Sequence, residues 1–381
     1  MNICLITSSF PANESDAAAA AGLFAKEFAC ALRDQGHGVS VLMPDKRAQP
    51  KEKIPGIEVC WFPWLGGAKR ISYLNPINPL DALAMMSLFV QGARHGRRMI
   101  RRRSTDHLIC LWAVPAGLLG RRLSRRTGVP YSVWCLGSDI NRYGAHPLFR
   151  PIVRSVLRGS ARIFANSRDL CEKAAALSGR ACEFMTTMRK LPAPQSSESP
   201  LPHPRYLFLG RFSKEKGADI MIDAFMQYAA ASGAGSLVML GDGPLDAFVK
   251  ERAATLAGRV EVAGFAPAQT VADHLAACDA LVVSSRAESL PAVISEALQI
   301  GRPVIATDVG DCGRLIREFG VGLVVPREDP AALARALHEF ERAPAGSYGA
   351  GIPNARGLFD ISIVTRRIAE SIRASRCGGN A

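Results

Sequence analysis

Leu281–Gly310 reads L-V-V-S-S-R-A-E-S-L-P-A-V-I-S-E-A-L-Q-I-G-R-P-V-I-A-T-D-V-G. Leu281–Val283 is short, continuous and β-branched, the signature of a buried strand. Ala292–Ile300 reads as a helix stopped by Gly301 and Pro303, and Val304–Ala306 as the next strand. Glu288 therefore falls in the loop at the carboxyl end of a parallel strand, and Glu296 in the helix that follows. In doubly wound α/β sheets that edge is where ligands bind. A carboxylate there accepts hydrogen bonds from hydroxyls, while the amides of Leu290 and Ala292 open a helix that favours an anion. One hydroxyl-rich, anionic ligand would satisfy both, and a nucleotide sugar is such a ligand.

Two further segments belong with this one: G-R-F-S-K-E-K-G at Gly210–Gly217 and G-D-G-P at Gly241–Pro244. In this order and at these spacings the three resemble the signature of the retaining family-four glycosyltransferases (glycosyl transferases group 1), whose E-x7-E pair is matched by Glu288 and Glu296. The resemblance implies a GT-B fold, an α/β architecture of two Rossmann-like doubly wound domains facing a cleft. Two glutamates at this spacing occur by chance in many helices, so the pair is informative because of the strand-loop-helix order around it.

At 381 residues the chain exceeds what one core usually holds, so two domains are expected. Strand and helix patterns alternate from Ile3–Ile6 onward, which means βαβ units and parallel sheets. Lys190–Pro204 has five prolines and three serines, which excludes a helix or a central strand. The expected division is an N-terminal Rossmann-like domain over 1–190, a Pro/Ser linker over 191–204, a C-terminal nucleotide-sugar-binding domain over 205–345, and a terminal helix and tail over 346–381. Across the start of the last, 343–357 reads as loop, and Phe359–Ala374 follows as an amphipathic helix. In the resembling family that helix returns to the first domain.

Residues 1–200 hold 28 Lys and Arg against 14 Asp and Glu, whereas residues 201–381 hold 19 against 20. The basic excess lies wholly in the first half, and Arg94–Arg126 alone has ten arginines and one aspartate. Such a field attracts anionic lipid headgroups, nucleic acid or polyanionic substrates. No reading helix, RNP motif or zinc module accompanies it, so nucleic acid is not the expected partner. The cysteines are scattered without a C-x-x-C pair, which fits reduced thiols in a cytosolic protein. Met1–Phe10 reads as a first strand and not as a signal peptide. The expected location is cytoplasmic, peripheral at the inner face of the plasma membrane. Trp61, Phe62, Trp64 and Tyr73 beside the basic helix Leu80–Arg103 suit a membrane interface and a lipid-carried acceptor, or equally core packing.

When a sugar leaves a nucleoside diphosphate, negative charge grows on phosphate oxygens, and cations aimed there stabilise the transition state. Arg211 and Lys216 follow a strand at its carboxyl end; a guanidinium grips phosphate bidentately and an ammonium adds a compact charge. The family resemblance assigns Arg211 and Lys216 to the diphosphate, Glu288 to the transferred sugar and Glu296 to the ribose. It brings the backbone of Ser289, Leu290 and Pro291 to sugar or phosphate, where the usual family sequence is nearer Gly-Phe-Gly. Pro291 supplies no N–H and suits the first helical position. Gly210, Gly241 and Gly264 mark candidate nucleotide-facing loops, and Gly22 permits close backbone approach either to phosphate or within the fold. No D-x-D pair is present to hold a diphosphate through a cation, so neither a metal nor another cofactor is expected.

In the first domain Trp134-Cys135-Leu136-Gly137-Ser138-Asp139-Ile140 ends a strand. Relatives often have His-Gly-x-Asp there, and Leu136 replaces the histidine. Asp139 is a candidate sugar or acceptor contact or a helix N-cap. The reading is a metal-independent, retaining hexosyltransferase using a UDP- or GDP-linked donor and a lipid-linked or glycan acceptor, in cell-surface or exopolysaccharide synthesis. A GT-B epimerase or phosphorylase, or an inactive sugar-binding relative, is the alternative.

Overall fold

Short apolar runs of Val, Ile and Leu become central parallel strands in two separate sheets, because helices on both faces exclude water from them. The computed structural model describes residues 1–13, 22–46, 50–69, 71, 74–75, 78–256 and 258–377. It has two α/β units: Met1–Thr187 with the chain from Ile361 onward, and Met188–Asp360.

The first unit contains β1 (Asn2–Ile6), β2 (Gly38–Pro44), β3 (Ile57–Phe62), β4 (His107–Leu111), β5 (Tyr131–Cys135), β6 (Ile163–Ala165) and β7 (Glu183–Phe184). Its parallel sheet has the order β3-β2-β1-β4-β5-β6-β7. In register, Ile3 faces Val39 on one side and His107 on the other. Every residue of β4 and β5 is buried. Leu42, Leu108, Leu119, Leu123, Val133 and Val156 share one core between sheet and helices.

The second unit contains β8 (Arg205–Leu209), β9 (Ser236–Leu240), β10 (Val260–Gly264), β11 (Ala280–Val283), β12 (Val304–Thr307) and β13 (Gly322–Val325), ordered β10-β9-β8-β11-β12-β13 and all parallel. Tyr206, Phe212, Phe225, Tyr228, Leu333 and Leu337 fill the core on one face, and the Tyr206 hydroxyl donates to the Leu337 carbonyl at 2.7 Å. Both sheets wind outward from a point where strand order reverses, between β1 and β4 and between β8 and β11. Ligands of doubly wound sheets bind outside the carboxyl ends of the strands at that point.

Several sequence expectations change. Trp61 and Phe62 lie in β3, and of the two roles open to these aromatics, interface or packing, Phe62 and Trp64 take the second, buried in the core. Trp61 meets Phe10 edge-on at 6.5 Å, and Tyr73 lies outside the described residues. Core packing is thus what Phe62 and Trp64 do. Residues 343–357, expected as loop, contain a helix over Ile352–Gly357. The Pro/Ser segment is strapped to the second unit: Gln195 and Ser196 amides donate to Asp273 at 2.7 and 3.2 Å, and Arg205 donates to the Ser199 and Leu201 carbonyls. The chain changes unit earlier, between Thr187 and Met188. The last helix, Ile361–Cys377, belongs to the first unit. There Ser371 donates to Glu183 at 2.6 Å, and Gln35 donates to the Ser362 carbonyl at 2.9 Å.

Candidate active site

In the second unit the three motif loops leave β8, β9 and β11 and are hydrogen-bonded to one another. Phe212, fully buried, anchors the first: its amide donates to the Asp242 carbonyl at 2.7 Å, and the Leu245 amide donates to the Phe212 carbonyl at 3.0 Å. The Gly241 amide donates to the Gly264 carbonyl at 2.7 Å, which brings the end of β10 alongside. On the other side of the switch point, the Ser284 hydroxyl donates to the Gly217 carbonyl at 2.8 Å. Gly217 has φ 68°, and a Cβ there would lie 1.9 Å from the Ser284 carbonyl oxygen. Only glycine allows this approach without displacing backbone.

Arg286, unassigned from sequence, completes the junction. Its amide donates to the Glu215 carbonyl at 2.8 Å, and its guanidinium pairs with Asp219 at 2.8 and 3.0 Å and with Glu328 at 2.7 Å. Burial pushes the Asp219 carboxyl up, but Arg286 and Lys214 outweigh it and hold its pKa at about 2. The loop carrying Glu288 is therefore clamped to the loop carrying Arg211 and Lys216 by a forked ion pair.

Within this frame Lys216 forms an ion pair with Glu288, whose Oε1 also accepts from the Ser285 hydroxyl at 3.2 Å. Arg211 is exposed, and its guanidinium has no ion pair or hydrogen bond among the described residues. The positive charge beside the switch point is thus partly compensated at Lys216 and uncompensated at Arg211. Pro291 is the N-cap of the helix Ala292–Ile300, one position before the expected one. Its ψ of 137° is extended, so the helix opens at Ala292, which is exposed. Ser289 and Leu290 are buried, and the Ser289 carbonyl accepts from the Asp311 amide at 2.8 Å. Their side chains support the loop, leaving the Ala292 end of the helix to face solvent.

Glu296 lies in the second turn of that helix and is 3% exposed. Its Oε1 is 2.8 Å from Arg189 Nε in an ion pair that is close but off the N–H axis, and its Oε2 has no partner. Burial pushes the Glu296 carboxyl above its ordinary value, while Arg189 pulls it back in part. A buried acceptor without a donor is costly unless something supplies one. Arg189 stands 107 positions away in a segment with no periodicity, so nothing in the sequence pointed to it.

In the first unit Asp139 is fully buried and its oxygens are already engaged. Oδ2 accepts from the Ala113 amide at 2.8 Å, and Oδ1 from the Leu136 and Gly137 amides at 3.2 and 3.1 Å. The residue ahead of the helical turn is Ser138, so Asp139 is not the N-cap. It ties the loop after β5 to the loop after β4, a positioning role. Burial raises its carboxyl pKa against these three hydrogen bonds. Leu136 is half-buried at the end of β5. Gly22 makes its close approach within the fold: a Cβ there would meet the Ser9–Phe10 backbone at 2.7 Å. Trp112, ending β4 beside the switch point, holds φ 71°, a strained value for an aromatic residue. Among the described residues no three His, Cys, Asp or Glu side chains gather as a metal site would need.

Two doubly wound units with paired glutamates and basic loops at one switch point define the GT-B class of glycosyltransferases. The chain belongs to the group 1 glycosyltransferases: residues 203–341 match the family described as Glycosyl transferases group 1, and residues 20–184 the Glycosyl transferase 4-like domain. It is 30% identical over 244 residues to a putative teichuronic acid biosynthesis glycosyltransferase, TuaC, of Bacillus subtilis strain 168, covering 60% of each chain. It is 29% identical over 287 residues to the 2-deoxystreptamine N-acetyl-D-glucosaminyltransferase of Streptomyces fradiae, covering 68% of this chain and 67% of that one. The chain thus spans about 60% of the length of the first relative. Among solved structures it is similar to a sucrose-phosphate synthase of Thermosynechococcus elongatus (TM-score 0.78, 18% identity, 100% of both chains). It is also similar to Anabaena HepE in complex with UDP (TM-score 0.71, 17% identity, 98% of this chain and 100% of that one). At these identities the structural likeness speaks for the fold.

Proposed function

We propose that this protein is a retaining, metal-independent glycosyltransferase that moves a hexose-type sugar from a UDP- or GDP-linked donor to a lipid-linked or glycan acceptor. The observation that carries the reading is the uncompensated Arg211 guanidinium on the loop whose Lys216 pairs with Glu288, at the switch point of the second sheet. A diphosphate bound there would meet the guanidinium fork, the Lys216 ammonium and the opening turn of the helix at Ala292. As the bond from the anomeric carbon to phosphate oxygen breaks, charge accumulates on that oxygen and these groups stabilise it. In front-side attack the same departing oxygen takes the acceptor hydroxyl's proton, and the acceptor oxygen bonds to the anomeric carbon on the face the phosphate leaves. Glu288 would orient the sugar hydroxyls. The unpartnered Oε2 of Glu296 would accept from a ribose hydroxyl. No cofactor takes part in this scheme.

Work at the inner face of the plasma membrane, in cell-surface polysaccharide synthesis, belongs to the same proposal. The basic excess of residues 1–200 and the teichuronic acid assignment of the Bacillus relative support it. No helix among the described residues is long and apolar enough to cross a membrane.

The test is release of nucleoside diphosphate from a set of UDP-, GDP- and ADP-sugars with a lipid-linked or oligosaccharide acceptor, with the product's anomeric configuration read by NMR. Retained configuration and a strong fall in turnover for Glu288→Gln are expected. Inverted product, or full turnover in Glu288→Gln, would overturn the assignment.

A further inference from the structure

The helix Pro79–Arg102 of the first unit carries an unusual exposed face. Asn78 caps its start, with Oδ1 accepting from the Leu80 amide at 2.9 Å, and Pro79 at the first position fixes the entry. The buried face, including Ala84, Leu88, Met99 and Ile100, packs into the core of the unit. Residues 83, 86, 90, 94, 97 and 101 recur at intervals of three and four on the other side and form a single stripe. Leu83, Met86 and Val90 are 45, 58 and 50% exposed, and Leu80 before them is 71% exposed. Leu65 extends this apolar end, its amide accepted by the Ser87 hydroxyl at 3.2 Å.

From Arg94 onward the same stripe is basic. Arg94, Arg97, Arg98 and Arg101, with Arg122 and Arg126 of the adjoining helix Leu118–Thr127, line an open pocket of about 470 Å³. None of these six side chains has an ion pair or hydrogen bond among the described residues. Arg102 and Arg103, by contrast, share an ion pair with Glu58. The helix has one acidic residue, Asp81, which is buried and paired with Lys69. A solvated surface helix would intersperse both charge signs along this face. Here an apolar ridge runs end to end into an unpaired arginine pocket.

We propose that this stripe is a membrane-docking surface, with Leu80, Leu83, Met86 and Val90 entering the acyl boundary and the arginine pocket holding anionic lipid headgroups. Guanidinium groups without carboxylate partners complement phosphate, and the apolar ridge distinguishes a bilayer from a soluble polyanion, which would leave it wet. The surface gives a location to the membrane reading above and rests on it only for its purpose. It is separate from the donor loops in sequence and in fold.

The experiment is flotation of the full chain with phosphatidylcholine vesicles containing or lacking phosphatidylglycerol, beside duplex DNA and inorganic polyphosphate as soluble polyanions. Wild type should bind the anionic vesicles and lose them as salt rises. Replacing Arg94, Arg97, Arg98 and Arg101 by Gln should weaken binding on the order of several hundredfold at low salt, at about fivefold per residue. Replacement of the same four by Lys should retain most of it. Leu83→Ser, Met86→Ser and Val90→Ser combined should weaken vesicle binding by at least about tenfold and leave polyphosphate binding unchanged. Nucleoside diphosphate affinity, read in the same variants, should stay constant, so failure of the donor site shows separately. Undiminished vesicle binding in the Gln variant or the Ser variant overturns the proposal. So does wild-type binding to DNA or polyphosphate without binding to vesicles.

Discussion

Arg189→Met removes the charge that is paired with Glu296. The Glu296 side chain is 4% exposed and that of Arg189 22%, with 2.8 Å between Oε1 and Nε. Burial raises the carboxyl pKa and Arg189 is the charge that opposes it, so its removal drives the pKa further up. For a carboxyl raised in the fold, the charged form is the disfavoured one. Its relative contribution to stability is full below the ordinary 4.5 and is lost as pH rises through the folded value. Wild type carries that cost at neutral pH; Arg189→Met enlarges it. Protonation also changes the acceptor. A hydrogen bond to a charged group contributes about 1.5–3 kcal/mol and one to a neutral group about 0.5–1.5 kcal/mol. The carboxyl should therefore protonate at higher pH in the variant than in wild type, and where it does, nucleoside diphosphate should bind about five- to tenfold more weakly, with affinity recovering as pH rises. Arg189→Lys should retain most of the wild-type behaviour. The assay is calorimetric titration of UDP and GDP from pH 6 to 9, with thermal melts over the same range. Wild-type affinity and an unchanged pH profile in Arg189→Met would refute the coupling.

Asp219, held at about 2 against an ordinary 3.8, contributes stability above pH 4 that is lost as pH falls toward 2. A shift of that size corresponds to about 2 kcal/mol, of which solvent screening leaves about 1. Asp219→Asn should remove that acid limb, and urea titrations at pH 3 and pH 6 measure it; an unchanged pH dependence would contradict the clamp. Leu136→His would place a polar donor where a half-buried apolar surface now ends β5. Ratios of kcat/KM among donor sugars should then move more than affinity for the bare diphosphate does. Identical ratios in variant and wild type would make Leu136 a packing residue.

The site loops were legible in sequence because alternating β/α patterns fix which strand ends they occupy. Gly210–Gly217 and Ser284–Pro291 had to meet once β8 and β11 became neighbours. Long-range partners were not legible. Arg189 with Glu296 and Arg286 with Asp219 are pairs distant in sequence, and no local periodicity encodes them. The amides that Asp139 holds were hidden for another reason, since a carboxylate after a strand looks the same whether it meets a ligand or three backbone amides. Strand β3 was hidden by its half-exposed middle, Glu58–Trp61, which breaks the continuous apolar run. The aromatics at its end, which suited an interface and core packing equally, turn inward at Phe62 and Trp64. The exposed apolar face belongs to the helix that follows.

The central claim is that side-chain cations, chiefly Arg211, bind the donor diphosphate in the second unit. Calorimetric titration of UDP and GDP into wild type and Arg211→Gln, both in EDTA, tests it most directly. One of the two nucleotides should bind wild type at a single site without divalent metal. Arg211→Gln should weaken that binding by about 1.5–3 kcal/mol, at least tenfold, with no change in melting temperature of the free protein. Binding that requires Mg²⁺ or Mn²⁺, or equal affinity in the two proteins, would contradict it.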